Sequence, residues 1–110
     1  MRYSFKADFF KALAHPLRIQ VLDELRAGPL SVRELQDRTG AGQSTLSAQL
    51  GVLRARDLVC TQRKGTMVNY EIRDPAIWLL LDRAREIFDH HLVNVRAQLE
   101  DLRREASNRG

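Results

Sequence analysis

Between Ser31 and Leu53 the chain leaves itself few ways to fold. Ser31 is followed three residues later by Glu34, a capping box in which each side chain accepts from a backbone N–H at a helix start. Leu35 is the inward residue of that helix, and Thr39-Gly40 stops it after about two turns. Gly42 or Ser44 then caps a second helix carrying Leu46, Leu50 and Leu53 at three- and four-residue steps. A short helix, a tight Gly-containing turn and another helix make a helix-turn-helix.

The flanking segments extend that frame. Tyr3, Phe5, Phe9, Phe10 and Leu13 recur at helical spacing, so the start reads as an amphipathic helix. His15-Pro16 breaks it, and Pro16 suits the first turn of a new helix, where its missing N–H costs nothing. Leu17, Val21, Leu22 and Leu25 line that helix, and Gly28-Pro29 ends it. His15 reads as a structural residue at the junction. After the helix-turn-helix, 58–63 and 67–72 are β-prone runs around Lys64-Gly65-Thr66, a hairpin with Arg63 and Lys64 at its tip. A hairpin in that place is a wing.

From Pro75 onward Ile77, Leu81, Ala84, Phe88, Leu92, Val95, Leu99 and Leu102 repeat every three or four residues. A helix of about 30 residues spans roughly 45 Å, whereas a 100-residue domain has a radius of gyration of about 13 Å. Something must cover the overshooting stripe. One reading is a terminal helix folded back on its own core. The favoured one is a homodimer interface through Ile77, Leu81, Ala84, Phe88, Leu92, Val95 and Leu99, shared with Phe5 and Phe9 of the first helix.

The expected fold is mainly α with a small β-hairpin wing, a winged helix-turn-helix of about five helices. One domain over 1–110 is expected: first two helices at 3–27, helix-turn-helix at 31–56, wing at 58–73, dimerisation helix at 75–105. At 110 residues, 44% hydrophobic, it can bury roughly 65% of its unfolded surface around one core.

Charge locates the partner. The formal net charge is +4, which favours a polyanion without choosing one. Residues 31–65 hold six cations against three anions, residues 1–30 five against three, and residues 75–110 six against six. The middle third is where a polyanion should land. The longest apolar run, 76–81, is far short of a membrane span. The charged start is no signal peptide, and the single Cys60 excludes an intrachain disulfide. A cytoplasmic protein without a membrane partner is the expectation.

In a helix-turn-helix the second helix enters the major groove by its N-terminal residues. Gln43, Ser44, Thr45, Ser47 and Gln49 stand there among inward leucines, with hydroxyls and amides suited to phosphates or base edges; Gln can contact adenine bidentately. The same composition also suits any polar helix face, so the wing beside it matters. Arg54 at the end of the helix, with Arg56 as a weaker choice, is a candidate phosphate holder. Arg63 and Lys64 are candidate minor-groove or backbone contacts, or charges that keep a hairpin soluble.

Three blocks resemble the ArsR/SmtB winged-helix repressors: Phe10-Lys11-Ala12-Leu13-Ala14-His15-Pro16-Leu17-Arg18-Ile19-Gln20-Val21-Leu22 their opening, residues 43–54 their recognition helix, and Leu58-Val59 with Arg63-Lys64-Gly65 and Val68-Asn69-Tyr70 their wing. The resemblance covers roughly residues 5–100. It implies a homodimeric repressor of a double-stranded, inverted-repeat operator, released by an effector. Two positions depart from the family: Gln49 stands where His is frequent, and Asp57 where Gly usually closes the recognition helix. A left-handed conformation at Asp57 costs more than at Gly.

The resemblance also lets effector sites be checked. The family's Cys-x-Cys at the third helix is here Ser31-Val32-Arg33-Glu34, so arsenite or cadmium sensing there is excluded. The family's last-helix zinc positions fall on Asp74, Ala76, Ile87 and His90, and two of these are not ligands. No metal and no cofactor is therefore expected, with a nonstandard site at His90/His91 as the alternative. Two adjacent imidazoles also suit a partly exposed polar patch. Cys60 reads as a small strand residue, with redox sensing the sharper option. No phosphate loop and no nucleophile motif is present, so an enzyme is not expected. A third possibility is a dimeric interaction module without specific DNA binding.

Overall fold

The computed structural model describes residues 2–109. Its elements run α1 (Arg2–Leu13), α2 (Pro16–Glu24), a 3-10 turn (Leu25–Ala27), β1 (Leu30–Ser31), α3 (Val32–Thr39), α4 (Gln43–Ala55), β2 (Val59–Lys64), β3 (Met67–Ile72) and α5 (Ala76–Arg109). The expected winged helix-turn-helix with five helices is what the chain forms.

Local chemistry sets most element ends. His15, extended at φ −150, caps α2: its Nδ1 accepts from the Leu17 amide at 3.2 Å, with Pro16 at the first helical position. Ser31 and Glu34 close the expected capping box, both bonds at 3.2 Å. Gly40 ends α3 in the left-handed region at φ 73. Gly42, not Ser44, precedes α4 as its cap, without a side-chain bond. The hairpin turns on Gly65-Thr66, with Gly65 at φ 64, as a type II′ turn asks of its first residue.

The sheet is antiparallel, ordered β1-β3-β2. The short β1 was not expected. It pairs Leu30 with Tyr70 and Ser31 with Asn69, so the residue that caps α3 also anchors it to the wing.

The described residues divide into two compact units, one up to Trp78 and one from Leu79 onward. The first has its core in Val21, Leu22, Leu25, Leu35, Leu46, Leu50, Leu53, Leu58 and Val59, each at most 2% exposed. Trp78 Nε1 donates to the Leu22 carbonyl at 2.8 Å. Ile77 also lies in this core, 7% exposed. Its side chain is taken up within the chain's own core, unlike Phe88, Leu92 and Leu99 of the stripe expected to meet a second copy.

The second unit is the remainder of α5. At 34 residues the whole helix is about 51 Å long and ends four residues past the expected boundary. Leu81 and Ala84 are half-buried. Phe88, Leu92 and Leu99 are 65%, 61% and 51% exposed, and Val95 lies at the margin of exposure. No helix of the described residues is long and apolar enough to cross a membrane.

Candidate nucleic-acid interface

The inward leucines Leu46, Leu50 and Leu53 fix which side of α4 faces out. Gln43, Ser44, Thr45 and Ser47 all stand exposed on its first turns. Because Gly42 offers no side chain to the helix start, no side-chain cap satisfies the first amides of α4. They and the positive end of the helix dipole form a ready place for a phosphate.

Gln49 is different. It is half-buried, and its Oε1 accepts from Arg18 Nε at 2.7 Å. Sequence reasoning missed Arg18, because nothing in the spacing of Pro16-Leu17-Arg18 says that its guanidinium reaches a residue 31 positions away.

At the far end, α4 closes through Asp57, which adopts φ 58 and is the one non-glycine residue among those described with positive φ. The departure from glycine noted in the sequence thus falls on a position whose backbone is left-handed. Arg54 is exposed beside a shallow recess of about 290 Å³, lined also by Asp57, Val59, Cys60, Thr61 and Arg73. Arg56 lies 3.8 Å from Asp8 of α1, a solvent-exposed pair of small energetic weight.

Arg63 and Lys64 are exposed at the end of β2, next to the turn. Among the described residues no ion pair engages Arg54, Arg63 or Lys64. These cations are free to meet an anion from outside.

Cys60 lies across the ladder from Glu71, with Sγ 3.6 Å from Oε1. Gln62 Nε2 donates to the same oxygen at 2.9 Å. Partial burial pushes the thiol pKa up, the hydrogen bond and negative charge of Glu71 push it further, and Arg73 opposes them. This is the reverse of the thiolate-stabilising surroundings that reactive cysteines have.

His15 spends its Nδ1 on the α2 cap. His90 and His91 are exposed on α5. No group of three or more His, Cys, Asp or Glu side chains gathers as a metal site among the described residues.

Residues 13–61 match the helix-turn-helix domain family. The chain is 45% identical over 102 residues to the Mycobacterium tuberculosis HTH-type transcriptional regulator Rv0081, covering 92% of this chain and 90% of that protein. The crystal structure of Rv0081 superposes with a TM-score of 0.78 at 43% identity, covering 84% of this chain and 93% of that one. The transcriptional repressor BigR from Xylella fastidiosa gives 0.72 at 37% identity, over 79% and 89% of the two chains. A homodimeric winged helix-turn-helix DNA-binding domain from Mycobacterium bovis gives 0.73 at 33%, over 82% and 83%.

Proposed function

The chain belongs to the ArsR/SmtB family of winged helix-turn-helix transcriptional regulators, a DNA-binding and non-enzymatic family, and we propose that it acts as a homodimeric repressor of an inverted-repeat operator. In this reading Gln43, Ser44, Thr45 and Ser47 enter the major groove, Arg54 holds a phosphate, and Arg63 and Lys64 reach the flanking minor groove or backbone. One observation carries it: the exposed polar turns of α4 begin at a helix start without a side-chain capping bond, in a unit whose wing presents two unpaired cations. Charge supplies affinity and its salt dependence, while the α4 side chains supply the address.

The second copy covers the apolar face of α5. Phe88, Leu92, Val95, Leu99 and Leu102 follow at four- and three-residue steps, and each is exposed, the spacing that suits a seam between two helices. A two-fold pair presents two recognition helices to two half-sites, and that symmetry is what an inverted repeat mirrors. The solved relative from M. bovis, itself homodimeric, supports the same assembly. Release from DNA falls to an effector other than a metal at the family's standard positions, since Ala76 and Ile87 offer no ligand atoms.

Selection from a random-sequence duplex library tests this reading. The expected product is a two-fold symmetric sequence bound at least a thousandfold more tightly than random duplex, by a protein that sediments as a dimer. Salt-sensitive binding with no enriched sequence would instead indicate an interaction module. Zinc or nickel in excess should leave operator affinity unchanged; a metal-dependent loss abolished by His90→Ala/His91→Ala would restore the histidine site.

A further inference from the structure

Arg18, in the first turn of α2, holds two elements at once. Its Nε–H donates to Gln49 Oε1 at 2.7 Å, and its Nη1 donates to the carbonyls of Lys11 and Ala12, each at 3.2 Å. Those carbonyls belong to the last turn of α1, at the negative end of its dipole; that of Lys11 also accepts from the Ala14 amide at 3.1 Å, so Arg18 is its second donor. A guanidinium is the one side chain with a planar fork able to serve both. The acceptor on Gln49 is chemically unambiguous, because a guanidinium only donates and so must face the amide oxygen.

That geometry changes what Gln49 can do. A bidentate adenine contact needs the amide oxygen and nitrogen side by side at the base edge. Here the oxygen turns toward α2, and the residue is half-buried while Gln43, Ser44, Thr45 and Ser47 are exposed. We infer that Arg18 and Gln49 form a positioning pair, which ties the recognition helix α4 to the carbonyl end of α1 and sets its seat from behind. Gln49 on this view does not read a base. Because α1 also carries the aromatic residues assigned to the dimer contact, the pair makes the placement of α4 follow that of α1.

The inference rests on α4 being the DNA-reading helix, and its test separates the two. Wild type, Arg18→Ala, Gln49→Ala, the double variant and Gln49→Glu are compared for affinity to the selected operator, affinity to random duplex, and thermal midpoint. Loss of a hydrogen bond to a charged group should lower operator affinity about tenfold in each alanine variant. The double variant should be no worse than the poorer single, because both break one link. In Gln49→Ala, random-duplex affinity should stay unchanged. Gln49→Glu keeps the link as a charge-assisted bond, so it should hold operator affinity within about threefold. A carboxylate set against DNA would instead repel it, so a loss of roughly thirtyfold or more in Gln49→Glu overturns the pair, as do additive losses in the double variant. Should Arg18→Ala fail to fold, Gln49→Glu against Gln49→Ala decides alone. If selection yields no operator, the reading of α4 has failed, and the melts still decide the pair: Gln49→Glu at or above wild type and Gln49→Ala below it support it, while equal midpoints for wild type and Gln49→Ala reject it.

Discussion

The amide of Leu58 donates to the carbonyl of Leu53 at 2.9 Å, and that of Asp57 to Arg54 at 3.1 Å. The two bonds form the Schellman closure of a helix, and the accompanying apolar contact position is filled by Leu53 and Leu58, both buried. The closure points the chain from α4 directly into the first wing strand. It requires a left-handed residue at 57, and this chain supplies aspartate at φ 58.

Asp57→Gly should therefore stabilise the fold by about 0.5–1 kcal/mol, by relieving the left-handed cost and removing an acid from the negative end of α4. Thermal melting should show a rise of a few degrees. Asp57→Val, β-branched at positive φ, should move the midpoint the other way.

Cys60 should be a sluggish thiol, and Glu71→Gln should quicken it. With the carboxylate gone, the thiolate loses its nearest repulsion and its pKa falls toward the ordinary thiol value, although burial still holds it up. Alkylation at fixed pH should be faster in the variant; equal rates would mean that burial alone sets the shift. The raised pKa also fixes a sign. The stability it contributes is fully present below the unfolded thiol's pKa and declines as pH rises through the folded value, because the unfolded chain loses that proton first. Cys60→Ala should flatten this alkaline decline in denaturant titrations.

Arg63→Ala and Gln43→Ala should fail in different ways. Loss of a wing-tip cation should weaken binding to operator and random duplex alike and lower the salt slope by about one. Loss of Gln43 should cost about 1–3 kcal/mol on the operator alone. Equal losses on both duplexes would remove Gln43 from base reading.

Leu92→Glu should separate the copies and leave the winged unit folded, since Leu92 is 61% exposed in the single chain. Sedimentation should show a monomer, and operator affinity should fall steeply while the melting of the winged unit stays near wild type. An intact dimer would reject this face of α5.

Much of the local structure was legible because its causes lie within a few residues of their effects. Ser31 and Glu34 announce the start of α3 and Gly40 its end, while His15-Pro16 separates α1 from α2. Lys64-Gly65-Thr66 marks the hairpin. The polar face of α4 was equally readable, because Leu46, Leu50 and Leu53 settle which side is inward.

What the tertiary structure decided are relationships that no local pattern encodes. β1 exists only because β3 lies close enough to accept Leu30 and Ser31 into its ladder. Ile77 and Phe88 share one periodic stripe, yet Ile77 is buried in the core and Phe88 is 65% exposed. Periodicity states which residues share a face and is silent on what covers each stretch of it. Gln49 looked like its neighbours on α4 until Arg18, 31 residues earlier, was seen to hold its oxygen. The chain's own chemistry determined the helix ends, the hairpin and the cationic tip, all short-range consequences of capping, backbone freedom and charge. Which polar groups remain free for DNA depends on where the packed core brings distant side chains, and only the folded protein decides that.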